Sequence, residues 1–314
     1  MKTWIALAVL GVCSVALCAQ TAQTPAQPDR VERSDDQTRI VLDVTRVNML
    51  FTVTDKRGRF ITDLAREDFE VMEGKRAQSI AEFTAETDLP LRLGILIDTS
   101  NSMRERFRFA QEAAVQFINS TVRPRQDRAT VVSFDTAPQL ISDLSDDTEL
   151  LSKRVRDLRP GGGTALYEAI YYICRDKLAQ DQPRHKYRRA IIVVSDGEDN
   201  QSRVSRDQAL EMAQKSDVVI YAISTNITRI ETDGDKVLKY YAAETGGQAF
   251  FPFKVEDLSQ SFENIANELR HQYNIFYRPD PLKTDGLYHP VTLRVKGRKD
   301  LVVRARKGYY APRM

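Results

Sequence analysis

The stretch LRLGILIDTSNSM, residues 91–103, joins a near-continuous apolar run to a polar segment in which an acid and two serines occupy alternate positions. Such an apolar run is typical of a strand that is buried on both faces, as in a parallel sheet covered by helices. The polar segment is too hydrophilic to extend that strand. We therefore expect a buried strand that ends at Asp98, followed by a loop whose polar side chains form a site.

Further apolar runs follow, separated by segments in which apolar residues have helical spacing. The runs are RATVVSF (128–134), RRAIIVVSD (188–196), SDVVIYAIS (216–224) and the short GQAFF (247–251). Helical spacing is seen from Phe107 to Ile118 and in TALYEAIYYICRDKL, SRDQALEMAQKS, DKVLKYYAAETGG and VEDLSQSFENIANELRHQ. Strands that alternate with helices predict a doubly wound α/β domain with a mostly parallel sheet, over residues 89–273.

Short alternating strands with turns flank this domain on both sides. Upstream, RIVLDVTRVNMLFTVTD precedes a KRGR turn, and DFEVMEGKRAQSIAEF bends at EGK; downstream are QYNIFYRP, HPVTLRVKG and DLVVRARKGYY. Neither flank alone can bury much apolar surface. We therefore predict that residues 38–88 and 274–314 pair into one small β-sandwich-like domain, with the α/β domain inserted between its halves.

The N-terminal segment has the features of a secretory signal, namely one lysine, an apolar core, and small residues near Ala19 and Ala22. We expect a signal peptide at 1–22, a disordered linker at 23–37, and export to the periplasm or the exterior. Leu17 disfavours a lipoprotein anchor on Cys18, because such sites have a small residue at that position. No later apolar run approaches the ~20 residues of a membrane-spanning helix.

Composition narrows the classes of function. With 46 basic and 44 acidic side chains, the chain lacks the positive excess of a nucleic-acid binder. Removal of the signal leaves Cys174 as the sole cysteine, so no internal disulfide is expected. Cys174 shares a helical face with Leu166 and Ile170, which predicts a buried thiol. The basic run RHKYRR (184–189) is interpreted as a solvated loop.

Two more loops are expected beside Asp98, because the carboxyl ends of the strands meet at one edge of an open α/β sheet. PGGGTAL (160–166) contains Thr164, and SDGEDN (195–200) places Asp196 at a strand end. The converging side chains would offer only oxygen donors: Asp98, Ser100, Ser102, Thr164 and Asp196. This set favours Mg²⁺, with Mn²⁺ or Ca²⁺ as alternatives, over zinc, since the three histidines lie on none of these loops.

Two acids leave a divalent cation short of ligands, so an Asp or Glu of a protein partner can complete its coordination. The motifs DTSNS, GGGTAL and VVSDGEDN, in this order, resemble the von Willebrand factor type A (VWA) domain, and its metal-ion-dependent adhesion site is matched at all five positions. The resemblance implies ligation by the serines and the threonine, ligation by the acids directly or through water, a non-enzymatic binding role, and a last helix that moves when the site is occupied. The flanks VTDKRGRFITDLAREDFEVMEGKRAQSIAEF and RARKGYYAP are similar to a bacterial group of exported VWFA-related proteins.

Three alternatives stay open. The DxSxS stretch can serve helix capping, since Ser and Asp are common N-cap residues. The metal can be purely stabilising, in a structural or scaffold protein of the cell envelope. A metal-dependent hydrolase is disfavoured, because there is no GxSxG elbow and no histidine near the serines.

Four neighbouring residues have less specific interpretations. Asp135 is interpreted as a turn residue. Glu198 and Asp199, next to Asp196, either tune the properties of the bound metal or are exposed acids, and the second interpretation is preferred. Arg104 is interpreted as a solvated residue that is close enough to the site to steer an acidic partner.

Overall fold

The structure is a computed structural model that describes residues 46–85, 89–181, 186–226, 228, 230–252 and 255–313. The expected signal peptide, its Cys18 and the expected linker lie outside the described residues. Among the residues that are described, no helix combines the length and the apolar character that crossing a membrane requires.

Strands and helices follow one another in the predicted alternation. The strands are β1 (Val47–Asp55), β2 (Phe69–Glu73), β3 (Arg76–Gln78), β4 (Ile80–Thr84), β5 (Leu91–Asp98), β6 (Arg128–Phe134), β7 (Pro138–Ser145), β8 (Arg188–Ser195), β9 (Val218–Ser224), β10 (Ala249–Phe250), β11 (Tyr273–Tyr277), β12 (Tyr288–Val295), β13 (Leu301–Ala305) and β14 (Gly308–Tyr310). The helices are α1 (Phe107–Thr121), α2 (Thr148–Asp157), α3 (Leu166–Ile173), α4 (Arg206–Lys215), α5 (Asp233–Thr245) and α6 (Val255–Arg270).

The central sheet has six strands in the order β10-β9-β8-β5-β6-β7, and all neighbours are parallel except β6 and β7. Every residue of β5 is buried, as its apolar run predicted. Apolar residues of α1, α2 and α6 cover one face of the sheet, and those of α3, α4 and α5 cover the other. The doubly wound, mostly parallel α/β fold is therefore confirmed.

Two four-stranded antiparallel sheets, β13-β1-β11-β4 and β14-β12-β2-β3, surround one shared apolar core. Each sheet combines strands that precede the α/β domain with strands that follow it; β1, for example, pairs with β11 and β13. The α/β domain is thus inserted into a β-sandwich built from both flanks, as the sequence predicted. The domain limits at residues 38, 89, 274 and 314 stay predictions.

Two elements were not expected from the sequence. Strand β7 pairs antiparallel with β6 at the edge of the central sheet, and its register shifts twice. Helix α2 then returns along the sheet and buries Leu151 and Val155. Both segments are mostly polar, because each packs only one narrow side against the domain.

The interpretation of RHKYRR as a solvated loop is wrong for its last two residues. Arg188 and Arg189 open β8 and are 1% and 2% exposed. Arg188 donates to the carbonyls of Leu269 and Gln272, and Arg189 donates to those of Leu178 and Asp181. These hydrogen bonds to backbone carbonyls allow the two guanidinium groups to be buried.

Cys174 is fully buried against the helices of its face, and burial raises the pKa of its thiol. The predicted packing role of this residue is confirmed. Such a thiol is a small hydrophobic side chain and is protected from reaction.

Candidate metal centre

Three loops meet at the carboxyl edge of the central sheet, because β5 lies between β6 and β8 in parallel register. The loop after β5 contacts the glycine loop through Gly161 N, which donates to Thr99 O at 2.6 Å, and through Asn101 N, which donates to Gly162 O at 3.3 Å. The glycine loop and the loop after β8 are joined at Thr164. The three predicted loops are therefore one hydrogen-bonded unit.

Thr164 is clamped from both sides by residues of the loop after β8. Its amide donates to Asn200 Oδ1 at 3.0 Å, and its carbonyl accepts from the amides of Asn200 and Gln201 at 2.9 and 3.0 Å. The residue is 3% exposed and lies just before α3. These bonds fix its backbone beside the Asp196 loop.

Asp98 is fully buried at the end of β5. Its Oδ1 accepts from Ser100 N at 2.8 Å, and its Oδ2 accepts from Ser195 Oγ at 2.6 Å. Burial raises the pKa of Asp98 to about 6; the negative charge of Asp196 adds to the rise, and the bonds from the two serines oppose it. Asp98 and Asp196 are thus close enough to repel each other.

Ser100 and Ser102 bring their hydroxyls together, with 2.9 Å between the two Oγ atoms. Ser100 is 2% exposed, whereas Ser102 is exposed. Neither hydroxyl caps a helix: the turn Asn101–Met103 begins at Ser100 without a side-chain cap bond, and α1 begins after Arg106. Helix capping therefore does not account for the two serines.

Asp196 is half-buried and accepts from Glu198 N at 3.1 Å through Oδ1. The next residue, Gly197, has φ +82 and packs directly on Gly234 at the start of α5. A Cβ on Gly234 would lie 2.2 Å from the carbonyl oxygen of Asp196. The first turn of α5 therefore supports the backbone that carries Asp196.

Two of the neighbouring acids have structural roles. Asp135 accepts from Thr136 Oγ1 and from Ala137 N, so it is the turn residue that was expected. Asp199 is not an exposed acid: it is half-buried and accepts from Tyr167 N and Ser202 Oγ at the start of α3. Glu198 is exposed.

Sequence reasoning missed Ser195 and Asn200, which hold Asp98 and Thr164. Both residues stand inside SDGEDN, next to a predicted ligand, and that adjacency was the available signal. Their partners lie on other strands, so their hydrogen bonds could not be derived from the motif.

The side chains at this edge limit which cation can bind here. No group of three His, Cys, Asp or Glu side chains in the described part of the chain could hold a metal ion, so a metal here would need the hydroxyls as well as the two carboxylates. His271 follows α6 and His289 lies in β12, away from the three loops, while His185 is outside the described residues. Oxygen donors of this kind fit a hard divalent cation.

A family model for the von Willebrand factor type A domain matches residues 93–268. The human von Willebrand factor A domain-containing protein 3B is 28% identical over 180 residues, which are 55% of this chain and 13% of that protein. An uncharacterized protein of Borreliella burgdorferi is 27% identical over 141 residues, which are 41% of this chain and 39% of that protein. The chain thus spans well under half the length of these curated relatives.

Solved structures are similar to this chain at low sequence identity. Proximal thread matrix protein 1 from the mussel byssus, with a zinc-occupied MIDAS motif, has a TM-score of 0.50 and 16% identity, covering 62% of this chain and 48% of its own. An aerotolerance-related membrane protein from Bacteroides fragilis has a TM-score of 0.46 and 17% identity, covering 57% and 99%. Because the family model spans more than half of the chain, the protein belongs to the von Willebrand factor type A (VWA) domain family.

Proposed function

We propose that the protein is a non-enzymatic binding module that holds a divalent cation at the carboxyl edge of its VWA sheet and binds an acidic residue of a protein partner there. The ligands would be Asp98, Ser100, Ser102, Thr164 and Asp196. The observation that carries the proposal is the pair of serine hydroxyls, 2.9 Å apart beside buried Asp98, on a loop that does not use them for capping.

A cation bound here would supply a position that accepts a carboxylate from another molecule. Other residues of the chain hold the proposed ligands in place. Ser195 and the amide of Ser100 orient Asp98, while the clamp on Thr164 and the support under Asp196 fix the other two loops. Two carboxylates and three neutral hydroxyls leave the cation incompletely neutralised, which favours an anionic partner.

Mg²⁺ is the proposed cation, with Mn²⁺ or Ca²⁺ as alternatives. The byssus protein is described with zinc in its MIDAS motif, so Zn²⁺ belongs in any titration of this chain. The three described loops contain no histidine and no cysteine, which favours the hard cations here.

Two other functions compete with this proposal. In the first, the cation only holds three loops together in a scaffold protein of the envelope, and its removal would lower stability without releasing a partner. The second is a metal-dependent hydrolase, for which Ser100 would be the nucleophile. The described loops offer Ser100 no histidine base, and we expect no turnover.

We also propose that residues 1–22 direct export to the periplasm or the exterior.

The test is binding of a labelled acidic peptide to the mature chain in Mg²⁺ and in EDTA. We expect binding in Mg²⁺ that is lost in EDTA and in Asp98→Ala, and no turnover of generic phosphate or ester substrates. Binding that persists in EDTA would contradict the proposal. Metal-dependent turnover that Ser100→Ala abolishes would favour the hydrolase.

A further inference from the structure

We infer that the partner presents two neighbouring carboxylates, one for the cation and one for Arg104. This inference rests on the proposed function and specifies the partner of the same site. It makes Arg104 a residue that determines specificity at this edge of the sheet.

Arg104 is tied to the metal loops by the side chain of Asn101. Asn101 Nδ2 donates to Gly162 O at 3.1 Å, and Asn101 Oδ1 accepts from Arg104 Nε at 3.1 Å. The amide of Asn101 also donates to Gly162 O, and the amide of Arg104 donates to Asn101 O at 3.4 Å. Arg104 is thus held between the serine loop and the glycine loop, two residues after Ser102.

The three arginines that follow the DxSxS motif differ in their surroundings. Arg106 is half-buried, and its Nη1 donates to the carbonyls of Thr225 and Pro252. Arg108 lies in the first turn of α1 and is exposed. Arg104 is also exposed, but only its Nε is used by Asn101, and no carboxylate of the described residues forms an ion pair with it. Its two Nη groups therefore remain available to a ligand.

The chemistry of the guanidinium selects a carboxylate. Its Nη groups form a planar fork that matches the two oxygens of a carboxylate, and bonds between such charged groups are stronger than neutral ones. A side chain that is already held at Nε loses less conformational freedom on binding than a free one.

Acidic side chains also lie on the loops at this edge, which sharpens the selection. Glu105 and Glu198 are exposed, and Asp135 is half-buried beside Gly162. These acids would repel an anionic partner that lacked a specific contact. The cation, whose proposed ligands include Ser100 and Ser102, is one such contact. Arg104, two residues after Ser102 on the same loop, is the other, and a partner with two acids can use both.

An extended peptide can present two acidic side chains on the same side, so that both face the protein. Side chains at positions i and i+2 of a strand point the same way and stand about 7 Å apart. The probe is therefore the peptide Ac-Gly-Ala-Asp-Ala-Asp-Ala-Gly-NH₂. Two matched single-acid peptides carry Asn in place of one or the other Asp.

Dissociation constants are measured by ligand-observed NMR titration in saturating Mg²⁺. We expect the wild type to bind the two-acid peptide about tenfold more tightly than either single-acid peptide. Arg104→Ala should lose this preference, and Arg104→Lys should keep part of it, because Lys retains the charge but not the fork. Arg108→Ala, a matched exposed arginine, should retain the full preference.

The outcomes separate this inference from the proposed function. If single-acid peptides bind in a Mg²⁺-dependent manner but the second acid adds nothing, or if Arg104→Ala keeps the preference, the inference is wrong and the proposed function stands. If no peptide binds the wild type, both are wrong.

Discussion

Ser195 Oγ donates a 2.6 Å hydrogen bond to Asp98 Oδ2, and so links the last residue of β8 to the last residue of β5. Ser195 Oγ also accepts a hydrogen bond from Gly197 N at 3.0 Å. Ser195 and Asp98 are both fully buried. Ser195 therefore orients the Asp98 carboxylate and at the same time fixes the backbone next to Asp196, although it is outside the DxSxS motif.

Ser195→Ala should weaken cation binding and stability together. Loss of the hydroxyl leaves Asp98 Oδ2 and the Gly197 amide without their donor and acceptor, which costs about 1–3 kcal/mol of unfolding free energy. We expect cation affinity to fall about tenfold, measured by calorimetry beside urea unfolding. Ser152→Ala is the matched control, since Ser152 Oγ is buried without a hydrogen-bond partner and its removal should cost nothing. Equal effects of the two substitutions would contradict the role of Ser195.

Gly234→Ala should disturb the Asp196 loop. The new methyl group would lie 2.2 Å from the carbonyl oxygen of Asp196, so the loop or the start of α5 must shift. We expect at least a tenfold loss of cation affinity, because misplacing one ligand removes its contribution. Gly161→Ala is the contrast, because its methyl group would meet no atom within 4 Å. Retained affinity in Gly234→Ala, with the chain folded by circular dichroism, would show that α5 does not position the site.

Glu268 of α6 joins the VWA domain to the sandwich. It accepts from Arg304 Nε and Nη2 at 3.2 and 3.1 Å and from Thr52 Oγ1 at 3.1 Å, and it is 2% exposed. Burial raises the pKa of Glu268 above its ordinary value, and the Arg304 charge offsets only part of this rise. The folded state therefore holds this proton more tightly than the unfolded state does.

The stability that Glu268 contributes should depend on pH, and Glu268→Gln should remove this dependence. A raised folded-state pKa means that the contribution of Glu268 is largest below its unfolded pKa, near 4.5, and falls as pH rises through the folded pKa. The Gln side chain of the variant does not ionise, so it makes no such pH-dependent contribution. We expect the unfolding free energy of the wild type minus that of the variant to decrease as pH rises through this window. Glu112→Gln, which removes a carboxylate from an exposed pair with Arg156, is the matched control. A difference that increases with pH would contradict the assigned direction.

Helix α6 offers a route from the metal edge to the sandwich. Arg106, just after the motif, donates to Pro252 O shortly before α6, and Glu268 binds Arg304 near the end of the helix. We expect amide hydrogen exchange across residues 255–273 to change when Mg²⁺ and the acidic peptide are added, and to change less in Arg106→Ala. Exchange that stays constant in the wild type would exclude transmission through this helix.

The sequence was most informative where apolar periodicity is strong. The run 91–98 predicted a strand with both faces buried, and the helical spacing of DKVLKYYAAETGG predicted α5, which ends just before Gly246, at φ +87. The sandwich strands were visible as alternation. Their pairing, such as Phe51 with Tyr273, joins residues so far apart in the chain that local patterns cannot encode it.

The site could be predicted only as far as the motif reaches. Asp98, Ser100, Ser102, Thr164 and Asp196 were proposed because the carboxyl ends of neighbouring parallel strands meet. The supporting residues could not be derived, since Ser195 and Gly234 act through contacts between loops that only the folded chain brings together. Strand β7 was missed for a different reason: an edge strand buries too few residues to show a clear apolar pattern in the sequence.

We propose that this edge of the sheet binds a cation, which then accepts an acidic ligand. The most direct measurement is calorimetric titration of Mg²⁺, Mn²⁺ and Zn²⁺ into the metal-stripped mature protein, beside Asp98→Ala, followed by the two-acid peptide. We predict that a hard cation binds the wild type, that Asp98→Ala loses this binding, and that the peptide tightens it. Equal cation binding by both proteins, or none by either, would contradict the account.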